Sequence, residues 1–192
     1  MERSSADESI VAALRAAIDG IERLTAQSHL IAEAGAIMIR SLRAGGKIMF
    51  CGNGGSAADS QHLAAELMGR FLKDRNPLPA MALSVDTSAL TAIANDYGYE
   101  HVFSRQLRGL GRPGDVLIAI STSGRSRNVV AALETARENG FGTIGLCGAN
   151  GGLMEEYCDV CIKAPAERTD LIQQLHITIG HILCGLVEEA LC

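Results

Sequence analysis

The chain has 192 residues, of which 47% are hydrophobic and 20% charged, a balance that fits one compact domain and excludes a disordered or fibrous protein. Lys and Arg number 17 against 22 Asp and Glu, for a formal net charge of −5. No general electrostatic footprint for nucleic acid or an anionic membrane follows from that, so any phosphate must be gripped locally. Aromatic residues are 4% and Trp is absent, whereas the 21 glycines ask where the backbone needs room.

From Asp7 to Arg43 apolar residues recur at three- and four-residue spacing: Ile10, Leu14, Ile18, Ile21 and Leu24, then Ile31, Ile37, Met38 and Leu42. The spacing predicts one long helix or a helical pair. After Gly45-Gly46, KIMFC reads as a short strand that ends in the glycine-rich GNGGSAAD, and a helix is expected from near Ser56 to about Phe71. Beyond Pro77 and Pro79 comes a second strand, AMALS, followed by two shorter helices over Asp86 to Asn95 and His101 to Leu110. DVLIAIS is the clearest buried strand; it runs into TSGRSRN and the helix NVVAALETARENG, repeating the order of strand, small polar loop and helix. TIGLC and CDVCIK complete five strands, and the chain is helical from about Arg168, with a wide apolar surface. The predicted fold class is α/β, a doubly wound five-stranded parallel sheet flanked by helices, with ligands at the carboxyl ends of the strands.

Residues 1–44 form a helical region expected to serve oligomerisation, and 45–192 the α/β unit. The terminal helices carry more apolar surface than a five-stranded core needs, which favours packing between subunits over coverage of one sheet. Six cysteines invite a disulfide or metal reading, but nothing else supports either. Cys158 and Cys161 form a C-x-x-C within an expected strand, where positions i and i+3 point to opposite faces. The N-terminus lacks the basic-then-apolar order of a secretory signal, and no run of about 20 apolar residues exists. A cytoplasmic protein with reduced thiols is expected.

In Asn53-Gly54-Gly55-Ser56, glycines between strand and helix let the backbone approach a ligand, and the helix N-terminus offers N–H groups to an anion. The alternative is a tight turn that only packs strand on helix. In Ser121-Thr122-Ser123-Gly124, with Ser126 just beyond, four hydroxyls cluster where another helix starts, enough to hold a phosphate without importing a cation. Arg125 and Arg127 either add charge there or are solvated surface. His62 and Glu66 are four residues apart on a helix, with Cβ atoms about 5–6 Å apart on one face. They can hold a metal or carry protons, or form an exposed polar face; their place after a glycine loop favours function. In the last helix, His181 is either a satisfied core histidine or a functional group at an interface. Gln173 and His181 lie about 12 Å apart along the helix axis, so a site using both must be wide or shared between chains.

Together CGNGGSAADSQHLAAEL, AIANDYGYEHVFSRQ, GDVLIAISTSGRSRN and IQQLHITIGHI resemble the sugar isomerase (SIS) domain family over nearly the whole chain. The resemblance implies a flavodoxin-like sheet, a homotetramer with sites at subunit interfaces, and an aldose–ketose isomerase acting on a heptose phosphate in the first step of lipopolysaccharide core precursor synthesis. It assigns Asn53, Gly54, Gly55, Asn95, Asp96 and Gln173 to substrate contact, and Ser121, Thr122, Ser123 and Ser126 to the phosphate. His62, Glu66, Gln173 and His181 match ligands of a divalent metal, one zinc ion per subunit, and Glu66 and His181 match the acid/base pair. Neither nucleic acid nor membrane is an expected partner. The competing reading is a non-catalytic tetrameric relative that binds the bacterial replication initiator; the presence of both Glu66 and His181 favours the enzyme.

Overall fold

The computed structural model describes residues 5–192. Five strands form one parallel sheet: β1 (Ile48–Gly52), β2 (Ala80–Ala82), β3 (Val116–Ser121), β4 (Gly142–Gly148) and β5 (Val160–Ala164), in the order β2-β1-β3-β4-β5. The register pairs Ile48 with Ala80 and Val116, Val116 with Gly142, and Ile144 with Val160. The helices are α1 (Ser5–Leu24), α2 (Ser28–Arg43), α3 (Gly55–Met68), α4 (Thr87–Tyr97), α5 (Ser104–Leu110), α6 (Arg127–Glu138) and α7 (Thr169–Leu191), as the alternating order of strands and helices predicts. No described helix is long and apolar enough to cross a membrane.

Side-chain alternation divides the sheet residues between two cores. Ile48 and Phe50 of β1, with Ile118 and Ile120 of β3 and Ile144 and Leu146 of β4, join Met38 of α2, Leu63 and Leu67 of α3 and Leu175, Ile179 and Leu183 of α7 on one face. Met49, Cys51, Leu117 and Ala119 meet Leu107 of α5 and Val129, Leu133 and Ala136 of α6 on the other. Strands buried on both faces need near-continuous apolar runs, which is what IMFCG and VLIAIS supply. At the opposite end from the loops, buried Asp115 accepts hydrogen bonds from the Lys47 and Arg112 backbone N–H groups and pairs with the Lys47 ammonium at 2.6 Å, tying β1 to β3.

The expected helical pair is resolved by a short 3₁₀ turn at Thr25–Gln27, between α1 and α2. Gln27 there donates its amide N–H to the Lys163 carbonyl and accepts from the Lys163 N–H, so one side chain does for edge strand β5 what a sixth strand would do. On α1, Ile10, Leu14, Ile18 and Ile21 are 48–60% exposed, a stripe left uncovered within one chain.

The reading of C-x-x-C needs correction. β5 begins only at Val160, so Cys158 precedes it, donates to the Met154 carbonyl, and packs with Cys161 against the same core. Alternation applies only within a strand, and the pair straddles the strand's start. Element ends shift too: α3 closes at Met68 rather than near Phe71, and β2 keeps three residues.

A buried ion pair fastens α7 to the segment that follows α3. The Glu188 carboxylate accepts from the N–H groups of Phe71, Leu72 and Lys73 and from Arg75 Nε, and the two side chains are only 2% and 4% exposed. Burial alone raises the Glu188 pKa, but the Leu72, Phe71 and Lys73 N–H groups and the guanidinium outweigh it and hold it below the ordinary glutamate value. A depressed folded pKa contributes stability above the unfolded value of about 4.3, lost as pH falls through the folded one. Glu188→Ala, which strands Arg75 in the interior, should therefore cost about 3–5 kcal/mol in denaturant unfolding at pH 7. Glu188→Gln should lose less stability than the wild type as the solution is acidified below about pH 4.

Candidate active site

Chain order makes the crevice. β1 leads through α3 to β2 on one side, while β3 leads through α6 to β4 on the other, so the loops after β1 and β3 diverge side by side at the switch point. The first loop holds Asn53, Gly54 and Gly55. A Cβ on Gly55 would lie 2.5 Å from Gln173 Nε2, so glycine here lets the α7 amide reach the start of α3. Asn53 is pinned across the switch point: it exchanges two 2.8 Å amide hydrogen bonds with Asn128 and accepts a third, at 3.1 Å, from Tyr99 Oη. Sequence reasoning missed Asn128 and Tyr99. Asn128 carried a signal, as the second residue of the helix after the hydroxyl loop.

In the second loop three of the four hydroxyls stand together. Ser121 Oγ lies 3.0 Å from Ser126 Oγ and 3.5 Å from Ser123 Oγ, and Ser123 Oγ accepts from the Arg125 N–H. Ser126 is the N-cap of α6 and makes no side-chain cap bond; its hydroxyl turns to Ser121 and leaves the first N–H groups of the helix without a side-chain cap from it. Beside this loop a cavity of about 510 Å³ is bounded by Thr122, Ser123, Arg125, Asn150, Glu167 and Ile172. The Thr122 carbonyl accepts from the Gly148 N–H, joining the loops after β3 and β4.

His62, Glu66 and His181 meet although 119 residues separate the two histidines. Their Nε2 atoms are 2.9 Å apart, His62 Nε2 is 3.3 Å from Glu66 Oε1, and the three ligand atoms lie within 4.8 Å of one another. The cause is the close crossing of α3 and α7. A Cβ on Gly180 would come within 2.5 Å of Leu63, so glycine lets the helices touch and the adjacent residues, His62 and His181, face each other. Phe71 stacks on the His181 ring with centroids 5.7 Å apart, and the two imidazoles meet edge to face. Two ring nitrogens and a carboxylate oxygen in this space form a group that can hold a divalent metal ion. Asp59, one turn before His62, has a buried Oδ2 with no hydrogen-bond partner. Desolvation raises its pKa, opposed by His62 and His181. It was not singled out in the sequence, though its i, i+3 spacing to His62 is visible there.

The remaining candidates stand apart from this trio within one chain. Gln173 lies against Gly55, about 12 Å back along α7 from His181. Asn95 and Asp96 are exposed near the end of α4 and hydrogen-bonded to each other at 2.8 Å.

The SIS domain family profile matches residues 13–148. A phosphoheptose isomerase of Rhodospirillum rubrum is 60% identical over 186 residues, covering 97% of this chain and 99% of its own length. The solved phosphoheptose isomerase of Neisseria gonorrhoeae superposes with a TM-score of 0.91 at 42% identity, over 96% of this chain and 100% of that one. That of Francisella tularensis gives 0.92 at 32%, over 96% and 99%.

A divalent ion held by the trio binds the folded state alone, so zinc at about 100 times its dissociation constant should add about 2.7 kcal/mol of stability. Thermal melting with and without zinc checks this. The upward shift should vanish in His181→Ala.

Proposed function

The chain belongs to the SIS-domain family, and from that membership we propose that it is an aldose–ketose isomerase converting sedoheptulose 7-phosphate to D-glycero-D-manno-heptose 7-phosphate. The observation that carries this reading is the meeting of a carboxylate, Glu66, with an imidazole, His181, where α3 crosses α7. Relatives matched along nearly their whole length and named phosphoheptose isomerase support the substrate.

The reaction moves hydrogen within one molecule: a proton leaves C1 of the ketose, an enediol forms, and a proton returns at C2. One base on one face suffices for the carbon proton, and one partner must move a proton between the oxygens. Glu66 takes the first role and His181 the second. With no ion bound the Nε2 contact with His62 lets one ring donate to the other, a hydrogen bond that an ion held by both nitrogens would replace, and Phe71 limits rotation of the His181 ring. Ser121, Thr122, Ser123 and Ser126 hold the phosphate with the α6 N-terminus, which suits a chain of net charge −5. Asn53, fixed in place by Asn128 and Tyr99, contacts the sugar together with Gly54, Gly55, Asn95, Asp96 and Gln173.

The donor set of two imidazole nitrogens and a carboxylate oxygen fits zinc. His62, Glu66 and His181 would hold the ion, joined by Gln173. The separation of Gln173 from the trio along α7 supports a second copy of the chain as its source. When bound, the ion supplies polarisation of the substrate carbonyl. The exposed α1 stripe, and an apolar groove among Ile21, Leu24, Ile31, Ile182 and Leu186, support a homotetramer assembled through residues 1–44 and α7. We place the enzyme in the cytoplasm, at the start of lipopolysaccharide core precursor synthesis.

Incubation with sedoheptulose 7-phosphate should yield aldoheptose phosphate, measured before and after chelation and zinc return. Glu66→Gln should lower kcat by about 100- to 10,000-fold with an unchanged circular dichroism spectrum. Failure of the wild type to convert the substrate under every metal condition overturns the isomerase reading in favour of a protein that binds the replication initiator.

A further inference from the structure

Residues 149–153, which follow β4, carry none of the groups assigned to substrate, yet this loop is fastened to the hydroxyl loop, Ser121-Thr122-Ser123-Gly124. The Gly148 N–H donates to the Thr122 carbonyl and the Met154 N–H to the Gly124 carbonyl, both at 3.1 Å. Between these bonds the two main chains lie directly on one another. A Cβ on Gly124 would stand 2.8 Å from the Gly151 carbonyl carbon and 3.0 Å from Gly152 Cα. One on Gly152 would stand 2.5 Å from the Gly124 carbonyl carbon and 2.7 Å from its Cα. Those neighbours are all main chain, so no side-chain rotation makes room, and both glycines have left-handed backbone, with φ of 62° and 70°.

The two bonds also set which way the hydroxyl loop presents its donors. A trans peptide unit points its N–H opposite to its carbonyl. With the Thr122 and Gly124 carbonyls turned to the loop after β4, the N–H groups of Ser123 and Arg125 are turned away from it. The Arg125 N–H donates to Ser123 Oγ, inside the hydroxyl group, and the Ser123 N–H has no partner among the described residues. A free main-chain donor beside clustered hydroxyls is what an anion needs.

Resting on the reading of the hydroxyl loop as the phosphate holder, we propose that Gly152 is a positioning residue of the phosphate site: its missing side chain lets the loop after β4 lie on Gly124 and aim the Ser123 N–H at the anion.

Gly152→Ala tests this against Gly140→Ala, which carries the same left-handed strain at φ 72° but meets only Pro113 Cβ, at 3.8 Å. In Gly152→Ala the KM for sedoheptulose 7-phosphate and the inhibition constant of inorganic phosphate should rise together by roughly 10- to 100-fold, the worth of a hydrogen bond to a charged group, with kcat close to wild type. Gly140→Ala should keep all three near wild type. In the isotope-labelled wild type, saturation with inorganic phosphate should move the Ser123 amide proton downfield in NMR spectra, a readout that does not depend on how well any variant folds. Phosphate binding needs no turnover, so a wild type that binds phosphate through Ser123 without isomerising the sugar strikes the isomerase reading and supports this one. An unmoved Ser123 amide, wild-type phosphate affinity in folded Gly152→Ala, or an equal loss in Gly140→Ala overturns the proposal.

Discussion

The contact between α3 and α7 is the constraint on which the candidate catalytic group depends. Gly180 lets α7 come against Leu63, and eight residues further on Glu188 gathers three backbone N–H groups and Arg75 from the segment that leaves α3. The first contact sets how close the helices come, and the second holds their outer ends together. Between these two points His62, Glu66 and His181 have little choice but to meet, and Phe71, fixed by its N–H on Glu188, lies on the His181 ring. A chain of the same composition lacking either contact would keep the three side chains on the same two helices without holding them together.

Sheet topology supplies the other half of the site. The loops after β1 and β3 adjoin because their crossovers leave in opposite directions. Asn53 and Asn128 then lock the two loops with paired amide bonds, so the glycine loop and the hydroxyl loop act as one wall. Hydroxyls and helix N-termini can receive an anion where net charge does not, so an acidic chain and a phosphorylated substrate are compatible.

A pair of cysteines shows the same logic on the opposite face of the sheet. Glycine at position 145 removes a side chain from the middle of β4, and the sulfurs of Cys161 on β5 and of Cys158 just before it occupy the space. Local alternation predicts the direction of Cys161 but is silent on Cys158, whose backbone has not yet entered the strand.

Much of this was legible in the sequence because it follows from local periodicity. Apolar runs marked the buried strands, three- and four-residue spacing marked the helices, and glycine and serine after IMFC and VLIAI marked the strand-end loops; the spacing of His62 and Glu66 placed both on one helical face. Amino-acid order could not show that His181 faces that pair, that Gln173 packs against Gly55, or that Asp59, Tyr99 and Asn128 take part. Those facts arise from contacts between residues far apart in the chain, set by how closely two helices cross and which loops a sheet's winding makes adjacent. Periodicity reports which way a side chain points from its own element, and only the packing of elements decides what it points at.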